Sequence, residues 1–548
     1  MNKLAAYLQG HIAGEVLVSD GARTFFSTDG SVLQMTPNMV AYPRSTNDIR
    51  KIARFTWQLA EKGHILPMTA RGSGTDQTGA AIGSGIVMVF PAHMNKILEL
   101  DSKQKEVRVQ PGLNFKSLQE TLHTHGLFLP PYPASYQYST VGGAVANNTA
   151  GEKSLKYGQM RRWVDRLEVV LANGEVIQTG RMSRKEVDKR KGVATLEGEI
   201  YRAIDGILAD NAELIDEYER KIRVTKNSVG YDLSQVRRKD GSIDLTPLLV
   251  GSQGTLAIVT EAIIKLESYS PQTSLLVAAF DTVDAAIDAV EGLRELRPSA
   301  IEMVDSHLLD FVAKQQGAPV HTDIVGEEAP VPAVLLFVEF DEASSHQRDK
   351  RIKKTSKLLD GIATAVKVTN DLEEQQKLWS IRHAAAVVVN YDHAGKAALP
   401  IIEDGIVPTT AFRQFIDDVY ALFNKHHLEV ALWGHAGDAN LHIQPLLDLR
   451  KLGDRQKVFK LMDEYYRIVL KYGGSIAAEH NDGRLRAPYV AAQVGPEMAG
   501  LYAQVKAAFD PHGILNPGVK TGTDIKELAS LLRDTYSIAH LSDHLPRT

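Results

Sequence analysis

Short apolar runs alternate with glycine-rich connections through the first half of the chain. The runs at residues 86–90, 107–110, 167–171 and 256–264 have the length and the β-branched content of strands. Strands of this kind, joined by glycine-rich turns, predict an α+β domain.

The pattern changes between residues 181 and about 245. Residues 181–191 and 237–239 are strongly basic and indicate exposed helix or loop. One interpretation is a solvated insertion; the other is a positive patch for an acidic partner or an anionic membrane surface.

After residues 268–271 the pattern becomes strand–helix–strand, so we place a domain boundary there. Thr282 and Asp284 supply an N-cap and a first-turn acid for a helix. The order predicts an antiparallel sheet with helices on one face, as in ferredoxin-like domains. Strands are predicted at 274–280, 301–304, 333–340, 399–402 and 428–433, and helices at 283–296, 344–359, 410–426 and, around a turn at 510–513, 497–533.

Composition narrows the class of protein. The chain has 548 residues, of which 44% are hydrophobic and 24% charged, so we expect a globular protein of roughly three or four domains. A net charge of −5 gives no support for a nucleic-acid partner. Because no apolar leader and no run of about eighteen apolar residues occur, we expect a cytoplasmic protein without signal peptide or membrane span.

The chain contains no cysteine. Disulfides, thiolate nucleophiles, cysteine-bound zinc and iron–sulfur clusters are therefore excluded for these residues. Any electrons that the protein moves must pass through one bound organic cofactor.

A turn-forming sequence, 437–440, lies between two histidines. If Ala436 pairs with Leu441 in a hairpin, then His435 lies opposite His442, with Cβ atoms roughly 5 Å apart.

With Glu479, His435 and His442 would form an N,N,O site that leaves a position open on a divalent metal such as zinc, manganese or iron. The alternative is a polar loop whose histidines hydrogen-bond the backbone. Spacing alone leaves both interpretations open.

Three glycine-rich segments, 69–79, 133–151 and 251–260, could surround phosphate oxygens with backbone N–H groups. The spacing in the first segment is neither the Rossmann nor the Walker spacing. Each segment alone could be a turn without a ligand. Three of them around one sheet are hard to explain by packing.

These segments, together with residues 509–518, resemble the FAD-linked oxidases of the vanillyl-alcohol oxidase/PCMH superfamily. The histidine motifs at 433–442 and 478–484 are similar to those of the branch containing D-lactate dehydrogenases, D-2-hydroxyglutarate dehydrogenases and the glycolate oxidase flavin subunit. The resemblance implies three parts: a PCMH-type FAD-binding domain (1–269), a ferredoxin-like substrate domain with the metal site (270–495), and a C-terminal segment (496–548) returning to the flavin.

The resemblance also implies which residues hold FAD. Asn516 would reach the isoalloxazine, while Ile258 and Val259 would meet the flavin or adenine through main chain. Because neither 71–79 nor 140–151 contains histidine or cysteine, we expect FAD to be bound without a covalent link. Residues implied to wrap the pyrophosphate or line the cofactor are Arg71, Gly72, Ser73, Gly74, Thr75, Asp76, Gln77, Ser135, Thr140, Gly142, Gly143, Asn147, Gly151, Ser154 and Tyr157.

The activity implied by the resemblance is oxidation of a D-lactate-like D-2-hydroxy acid to the 2-keto acid. The flavin would take the C2 hydride at N5, while a metal on the His/His/Glu set would chelate the substrate. His480, neutral near pH 7, would remove the hydroxyl proton, and Arg382 would bind the carboxylate. Glu479 and His480 can share a site only if the backbone bends between them. Glu403-Asp404 resembles a family segment near the site but could equally cap a turn.

Two departures from the family pattern bear on the substrate. Asn481 stands where the family has glycine. The alanines and valines at 384–388 offer no group for a second carboxylate, so we expect a small or apolar acid rather than 2-hydroxyglutarate.

Electrons would pass to a separate acceptor, an iron–sulfur protein, quinone or soluble acceptor, because the chain ends shortly after the returning tail and lacks cysteine. Peripheral contact with the inner face of the membrane through 181–191, and a homodimer, are compatible with this interpretation. Three alternatives remain: a colourless metal hydrolase, a flavin subunit of a glycolate or lactate oxidase complex, and an alcohol, phenol or sugar oxidase of the same superfamily.

Overall fold

The computed structural model describes residues 3–316, 321–383 and 396–538. The first half of the chain is built on two principal sheets. The four-stranded sheet has the spatial order Glu15–Leu17, Met39–Tyr42, Ile86–Val89 and Met68–Arg71. The five-stranded antiparallel sheet has the order Ile97–Asp101, Glu106–Val109, Ile258–Lys265, Val164–Val170 and Val176–Gln178. A small ribbon pairs Leu127–Phe128 with Glu267–Ser268.

Amphipathic helices cover these sheets. In Thr46–Ala60, the hydroxyl of Ser45 accepts the N–H of Asp48 and caps the helix, while Ile49 and Ile52 are fully buried. The helices of this half are Lys3–Gln9, Asp20–Phe25, Thr46–Ala60, Phe115–Thr124, Val141–Asn147, Ser154–Tyr157, Arg184–Lys191, Leu196–Asp210, Ala212–Lys221 and Thr246–Leu249.

The segment predicted to be an exposed basic insertion is only partly exposed. Arg184–Lys191 lies at the surface, but Leu196–Asp210 buries Ile200 and Ile204 and packs against Val490–Phe509. The interpretation of a solvated insertion is therefore wrong for the second helix. Its apolar residues recur every three or four positions and form one buried face beneath the charges.

A seven-stranded antiparallel sheet organises the second half. Residues 399–402, which were predicted to form a strand, are not part of the sheet, so this prediction is wrong. Pro400 has no N–H with which to continue the ladder. The strand at Ala365–Thr369 was not predicted. The spatial order is Ala365–Thr369, Ser274–Phe280, Val334–Phe340, Ala300–Asp305, Val430–His435, Asn440–Leu447 and Ala397–Ala398.

Helices lie on both faces of this sheet, not on one face as predicted. Val283–Glu295, Ser345–Leu359 and Phe412–His426 pack on one face. Ser306–Gln316 and Leu372–His383 pack on the other, alongside Trp433. The remainder of this second face is turned toward the first half of the chain.

The last part of the chain returns to the first sheet. After the helix Leu452–Lys471 comes Val490–Phe509, which is kinked at Gly495 (φ +82°). The backbone N–H of Met68 then donates to Ile514 (2.7 Å), and the N–H of Asn516 donates to Met68 (2.9 Å). A short helix, Ile525–Leu531, follows. Among the described helices, none has both the length and the apolar content needed to cross a bilayer.

Candidate active site

A cavity of about 330 Å³ lies between the two halves of the chain. Its walls come from the glycine-rich segments of the first half and from the open sheet face of the second half. The second-half residues include Arg382, Trp433, His435, His442 and His480. The motifs singled out in the two halves therefore converge on one pocket.

The hairpin that carries two of these histidines has a different register from the predicted one. His435 pairs with Asn440, and Trp433 pairs with His442. The turn is therefore 436–439, a 3₁₀ turn that ends at Ala439 with φ +54°. His435 and His442 lie diagonally on the same sheet face, not directly opposite each other.

The diagonal placement still brings three ligand atoms together. His435 Nε2 lies 2.7 Å from Glu479 Oε1, and His442 Nε2 lies 3.4 Å from both of these atoms. Ligands at about 2.0–2.1 Å from a tetrahedral Zn²⁺ are about 3.3 Å apart. Two of the three separations, at 3.4 Å, have this spacing, while the 2.7 Å between His435 and Glu479 is a hydrogen-bond distance that a bound ion would widen. The chemistry of the three ligands fits a divalent metal.

The outer ring nitrogens of the two histidines are also fixed. Nδ1 of His435 lies 2.7 Å from Glu302 Oε1, and Nδ1 of His442 lies 2.8 Å from the Glu403 carbonyl oxygen. Such contacts orient the Nε2 atoms of metal-binding histidines in proteins.

Glu479 and His480 reach the same pocket because the backbone bends at 478–480 and no strand continues there. Both N–H groups donate to Asp404 Oδ2, at 3.1 and 2.8 Å. Asn481 follows with φ +68°, the left-handed conformation that asparagine tolerates. Asp404 therefore stabilises this bend in the backbone by accepting both N–H groups.

The ring of His480 lies parallel to that of His442, with centroids 4.9 Å apart, and its Nδ1 is 2.5 Å from Glu403 Oε2. Burial lowers the pKa of His480, but the carboxylates of Glu403 and Asp404 outweigh it and raise the pKa to about 9. This differs from the sequence expectation of a neutral ring near pH 7.

Glu479 is held in its ionised form. Burial favours the protonated form, but His435 and Lys226 hold the pKa of Glu479 well below its usual value of 4.5. The carboxylate is therefore charged, as a metal ligand must be.

Arg382 comes from the last turn of Leu372–His383 and is 1% exposed. Its Nε donates to Glu302 Oε2 (2.8 Å), but neither Nη1 nor Nη2 has a partner among the described residues. Two buried, unpaired guanidinium nitrogens at a cavity wall fit a planar anionic group. The alanine and valine stretch at 384–388 lies outside the described residues.

Most residues implied to hold FAD lie at cavity walls. Ser139 Oγ and Gln77 Oε1 are buried there with no hydrogen-bond partner among the described residues, which fits a polar ligand. The implied residues that line this cavity or the small apolar one beside it are Arg71, Gly72, Ser73, Gly74, Thr75, Asp76, Gln77, Ser135, Thr140, Gly142, Gly143, Asn147 and Val259.

Some implied cofactor residues bond to other parts of the protein. The Arg71 guanidinium donates to the carbonyls of Thr28 and Ala81 and packs against Gly74 of the loop. The hydroxyl of Tyr157 donates to Asp341 (2.7 Å).

Four further residues from that set are not among the cavity-lining residues. Ile258 is buried in the core of the first sheet. Asn516 is 1% exposed and is held by hydrogen bonds to protein groups. Gly151 and Ser154 lie against the His435/His442/Glu479 group, called the metal-type cluster below. The N–H of Gly151 donates to Glu479 and the hydroxyl of Ser154 donates to Asp438, both at 2.6 Å.

Sequence reasoning missed two charged groups in this site. Glu302 is fully buried in Ala300–Asp305, where an acid inside an apolar strand was a usable signal. Lys226 is 3% exposed and lies 3.2 Å from Glu479, yet its segment had only been interpreted as part of a basic insertion.

Two family models match the chain. Residues 37–180 match "FAD binding domain", and residues 270–519 match "FAD linked oxidases, C-terminal domain".

Three relatives align with more than 90% of this chain at 28–30% identity. The glycolate oxidase subunit GlcD of Bacillus subtilis is 30% identical over 515 residues, covering 93% of this chain and 94% of the relative. A D-lactate dehydrogenase of Anaerostipes hadrus is 28% identical, covering 92% and 94%. The D-2-hydroxyglutarate dehydrogenase of Pantoea ananatis is 29% identical, covering 92% of this chain but 50% of the relative. The chain thus spans about half the length of such dehydrogenases.

Among solved structures, p-cresol methylhydroxylase superposes with a TM-score of 0.67 at 15% identity, over 96% of this chain and 97% of that chain. This similarity shows the fold and confirms the expected PCMH-type architecture.

Proposed function

The chain belongs to the family of FAD-linked oxidases, and on that premise we propose that it is an FAD-dependent dehydrogenase of a small D-2-hydroxy acid. One observation carries the proposal. The unpaired Nη1 and Nη2 of Arg382 share a cavity with the His435/His442/Glu479 cluster and with the glycine-rich loops. A cavity of about 330 Å³ that would have to hold a flavin ring as well favours a small acid such as D-lactate.

Arg382 would bind the substrate carboxylate through Nη1 and Nη2, while Glu302 fixes the guanidinium through Nε. Glu302 also bonds to His435, so one buried carboxylate would orient both the anion-binding group and a metal-type ligand. The carboxylate and the C2 hydroxyl of the substrate would thereby be placed together.

His435, His442 and Glu479 would hold a divalent metal, with Zn²⁺, Mn²⁺ and Fe²⁺ all suited to this ligand set. A metal there would lower the pKa of the substrate hydroxyl. Burial opposes charge on His435, but Glu302 and Glu479 raise its pKa, so metal binding would displace a proton from this ring.

His480 would accept the hydroxyl proton. With a pKa of about 9 it is protonated at pH 7 in the protein alone. A positive charge at the adjacent cluster would lower this pKa toward neutrality. Glu403, bonded to Nδ1, would then stabilise the imidazolium that forms on proton transfer.

The cofactor would be FAD held without a covalent link in the loops 71–77 and 135–147. Bound FAD would take up the hydride from C2. The unpaired polar atoms of Gln77 and Ser139 would serve as contacts for it. Because the 548 residues contain no cysteine, electrons would leave to an acceptor outside them.

The proposal is tested by anaerobic mixing of the yellow protein with D-lactate, L-lactate, glycolate or D-2-hydroxyglutarate. We expect bleaching of the flavin band at about 450 nm by a small D-acid but not by L-lactate, and loss of bleaching on chelation. His480→Ala should retain the yellow colour and slow bleaching by about 100-fold or more. The matched control His346→Ala, on an exposed helix face, should bleach normally.

A colourless protein would overturn the flavin assignment, and normal bleaching by His480→Ala would overturn the base assignment. A second candidate is favoured by the 94% coverage of the Bacillus subtilis subunit: a flavin subunit that turns over only within a complex. It predicts a yellow protein that none of the four acids bleaches until partner proteins are added.

A further inference from the structure

Lys226 is a buried cation that touches the second half of the chain at two points. Its Nζ lies 3.2 Å from Glu479 Oε2 and 3.8 Å from Asp438 Oδ2. Asp438 lies in the turn between His435 and His442. One ammonium group from the first half therefore contacts both elements that carry the metal-type ligands.

The two carboxylate oxygens of Glu479 have separate roles. Oε1 faces the imidazoles of His435 and His442. Oε2 accepts a hydrogen bond from the N–H of Gly151 (2.6 Å) and another from Lys226 (3.2 Å). With Oε2 bonded on two sides, only Oε1 is presented to the cluster.

The position of Lys226 is itself fixed. The hydroxyl of Ser154 lies 3.2 Å from its Nζ and donates to Asp438 (2.6 Å). Two residues further along the chain, Ser228 donates its backbone N–H to the carbonyl of Ala477 and its hydroxyl to that of Ala478, at 2.9 and 2.8 Å. Residues 226–228 are thus hydrogen-bonded to residues 477–478, which directly precede Glu479.

We propose that Lys226 is a positioning residue that keeps Glu479 a one-oxygen metal ligand. The inference rests on the metal site of the proposed function. Gly151 shares this task through its N–H bond to Glu479. It ends the glycine-rich segment 133–151, most of whose residues between Pro133 and Thr149 line the cavity. Occupancy of that segment by FAD and of the His/His/Glu cluster by metal should therefore be coupled, each tightening the other.

Metal affinity tests the proposal. Metal-stripped full-length flavoprotein is titrated with Mn²⁺, and free Mn²⁺ is counted by its EPR signal. We expect Lys226→Met to weaken Mn²⁺ affinity by about 10–100-fold while retaining its FAD. The matched control is Lys153→Met, which removes a half-buried lysine that is paired with Glu339 (2.8 Å) and not with Glu479 or Asp438. It should bind Mn²⁺ within about 2-fold of the unchanged protein.

Ser154→Ala removes the hydroxyl between Lys226 and Asp438 without changing charge, and it should weaken Mn²⁺ binding by about 3–10-fold. It decides the matter if Lys226→Met fails to fold. Unchanged affinity in the folded variants overturns the role of Lys226 but leaves the metal site standing. If the unchanged protein binds no Mn²⁺, Zn²⁺ or Fe²⁺, the metal assignment of the proposed function fails instead.

Discussion

At Arg382 the guanidinium has one occupied edge and one open edge. Nε is bonded to Glu302, while Nη1 and Nη2 have no partner among the described residues. We predict that Arg382→Lys raises KM for the hydroxy acid about 10–100-fold, because losing one charged hydrogen bond costs about 1.5–3 kcal/mol. Steady-state kinetics with an artificial acceptor measure the effect.

The matched control is Arg348→Lys, another buried arginine of the second half, which bonds to the carbonyls of Glu342 and Ala343. Its KM should be unchanged. A normal KM in Arg382→Lys, with an unaltered flavin spectrum, would show that the carboxylate binds elsewhere.

Single residues differed in how well the sequence predicted them. Arg382 and His480 were found through their motifs, and both lie at the cavity. Glu302 and Lys226 were not, because their partners lie far along the chain; Glu302 alone offered a local signal, as an acid within an apolar strand. The protonated state of His480 was also missed, since it depends on Glu403 and Asp404 from another segment.

The hairpin 430–447 carries two of the three residues of the His435/His442/Glu479 cluster. Gly434 has φ +136°, and a Cβ there would lie 3.0–3.2 Å from Asn440 and His442. We predict that Gly434→Ala displaces His442 and weakens Mn²⁺ binding by about 10-fold or more. The measurement is the same Mn²⁺ titration.

Gly206→Ala is the control for that change, because a Cβ at this helical glycine meets nothing within 4 Å. It should bind Mn²⁺ normally and be slightly more stable. Equal affinity for Gly434→Ala and unchanged protein would mean that the hairpin adapts without moving His442.

A second element-level prediction concerns Asp305, where Ala300–Asp305 ends and the next helix begins. Its Oδ1 accepts the N–H of Leu308, and its Oδ2 is buried without a partner among the described residues. Burial raises its pKa from 3.8 to about 7. The folded protein therefore retains a proton that the unfolded chain releases, and stability falls as pH rises from about 4 through 7, by roughly 1.4 kcal/mol per pH unit.

Asp305→Asn keeps the acceptor for Leu308 and cannot ionise. Its unfolding midpoint relative to the unchanged protein should rise between pH 4 and 7 and then level off. Thermal unfolding of both proteins at several pH values measures this difference. A difference that does not vary with pH would contradict the raised pKa of Asp305.

Helices and strands with a clear hydrophobic periodicity could be predicted from the sequence, whereas the pairing register between strands could not. Ser274–Phe280 and the Thr282-capped helix agree with the predicted bounds within one residue. In the hairpin, moving the turn from 437–440 to 436–439 shifted every pair, but by an even number of residues. Both histidines therefore stayed on the predicted face.

For the molecule as a whole, the side chain of Asn516 connects the C-terminal part of the chain to two segments of its first half. Its side-chain amide donates to the carbonyls of Ala80 and Gln253, and its oxygen accepts from Thr69. We predict that Asn516→Leu lowers the free energy of unfolding by about 3 kcal/mol or more, because it leaves buried polar groups unpaired. Urea unfolding and the FAD content of the purified protein measure the effect.

Asn211→Leu is a suitable comparison, since this half-buried asparagine donates to one helix carbonyl, that of Ile207. It should cost about 1 kcal/mol and leave FAD content unchanged. Equal stability of the two variants would show that Asn516 is not a key connection between the segments.

The pocket could be expected from the sequence only as a hypothesis, because its walls are far apart along the chain. Motifs predicted most residues of the glycine-rich loops and of the His435/His442/Glu479 cluster. Whether the loops and the cluster meet depends on how the two halves of the chain pack. Asn481, for example, donates to the carbonyls of Asn147 and Gly251, more than 200 residues away. No local pattern encodes such a bond.

The return of residues 514–516 to Met68 has a consequence for biosynthesis. A ribosome completes the loops 69–79 and 251–260 long before it makes Asn516, which bonds to residues of both. Cofactor loading should therefore wait until Asn516 has been synthesised and has left the ribosome. Chains stalled upstream of this residue should emerge colourless, as substrates for chaperones or proteases.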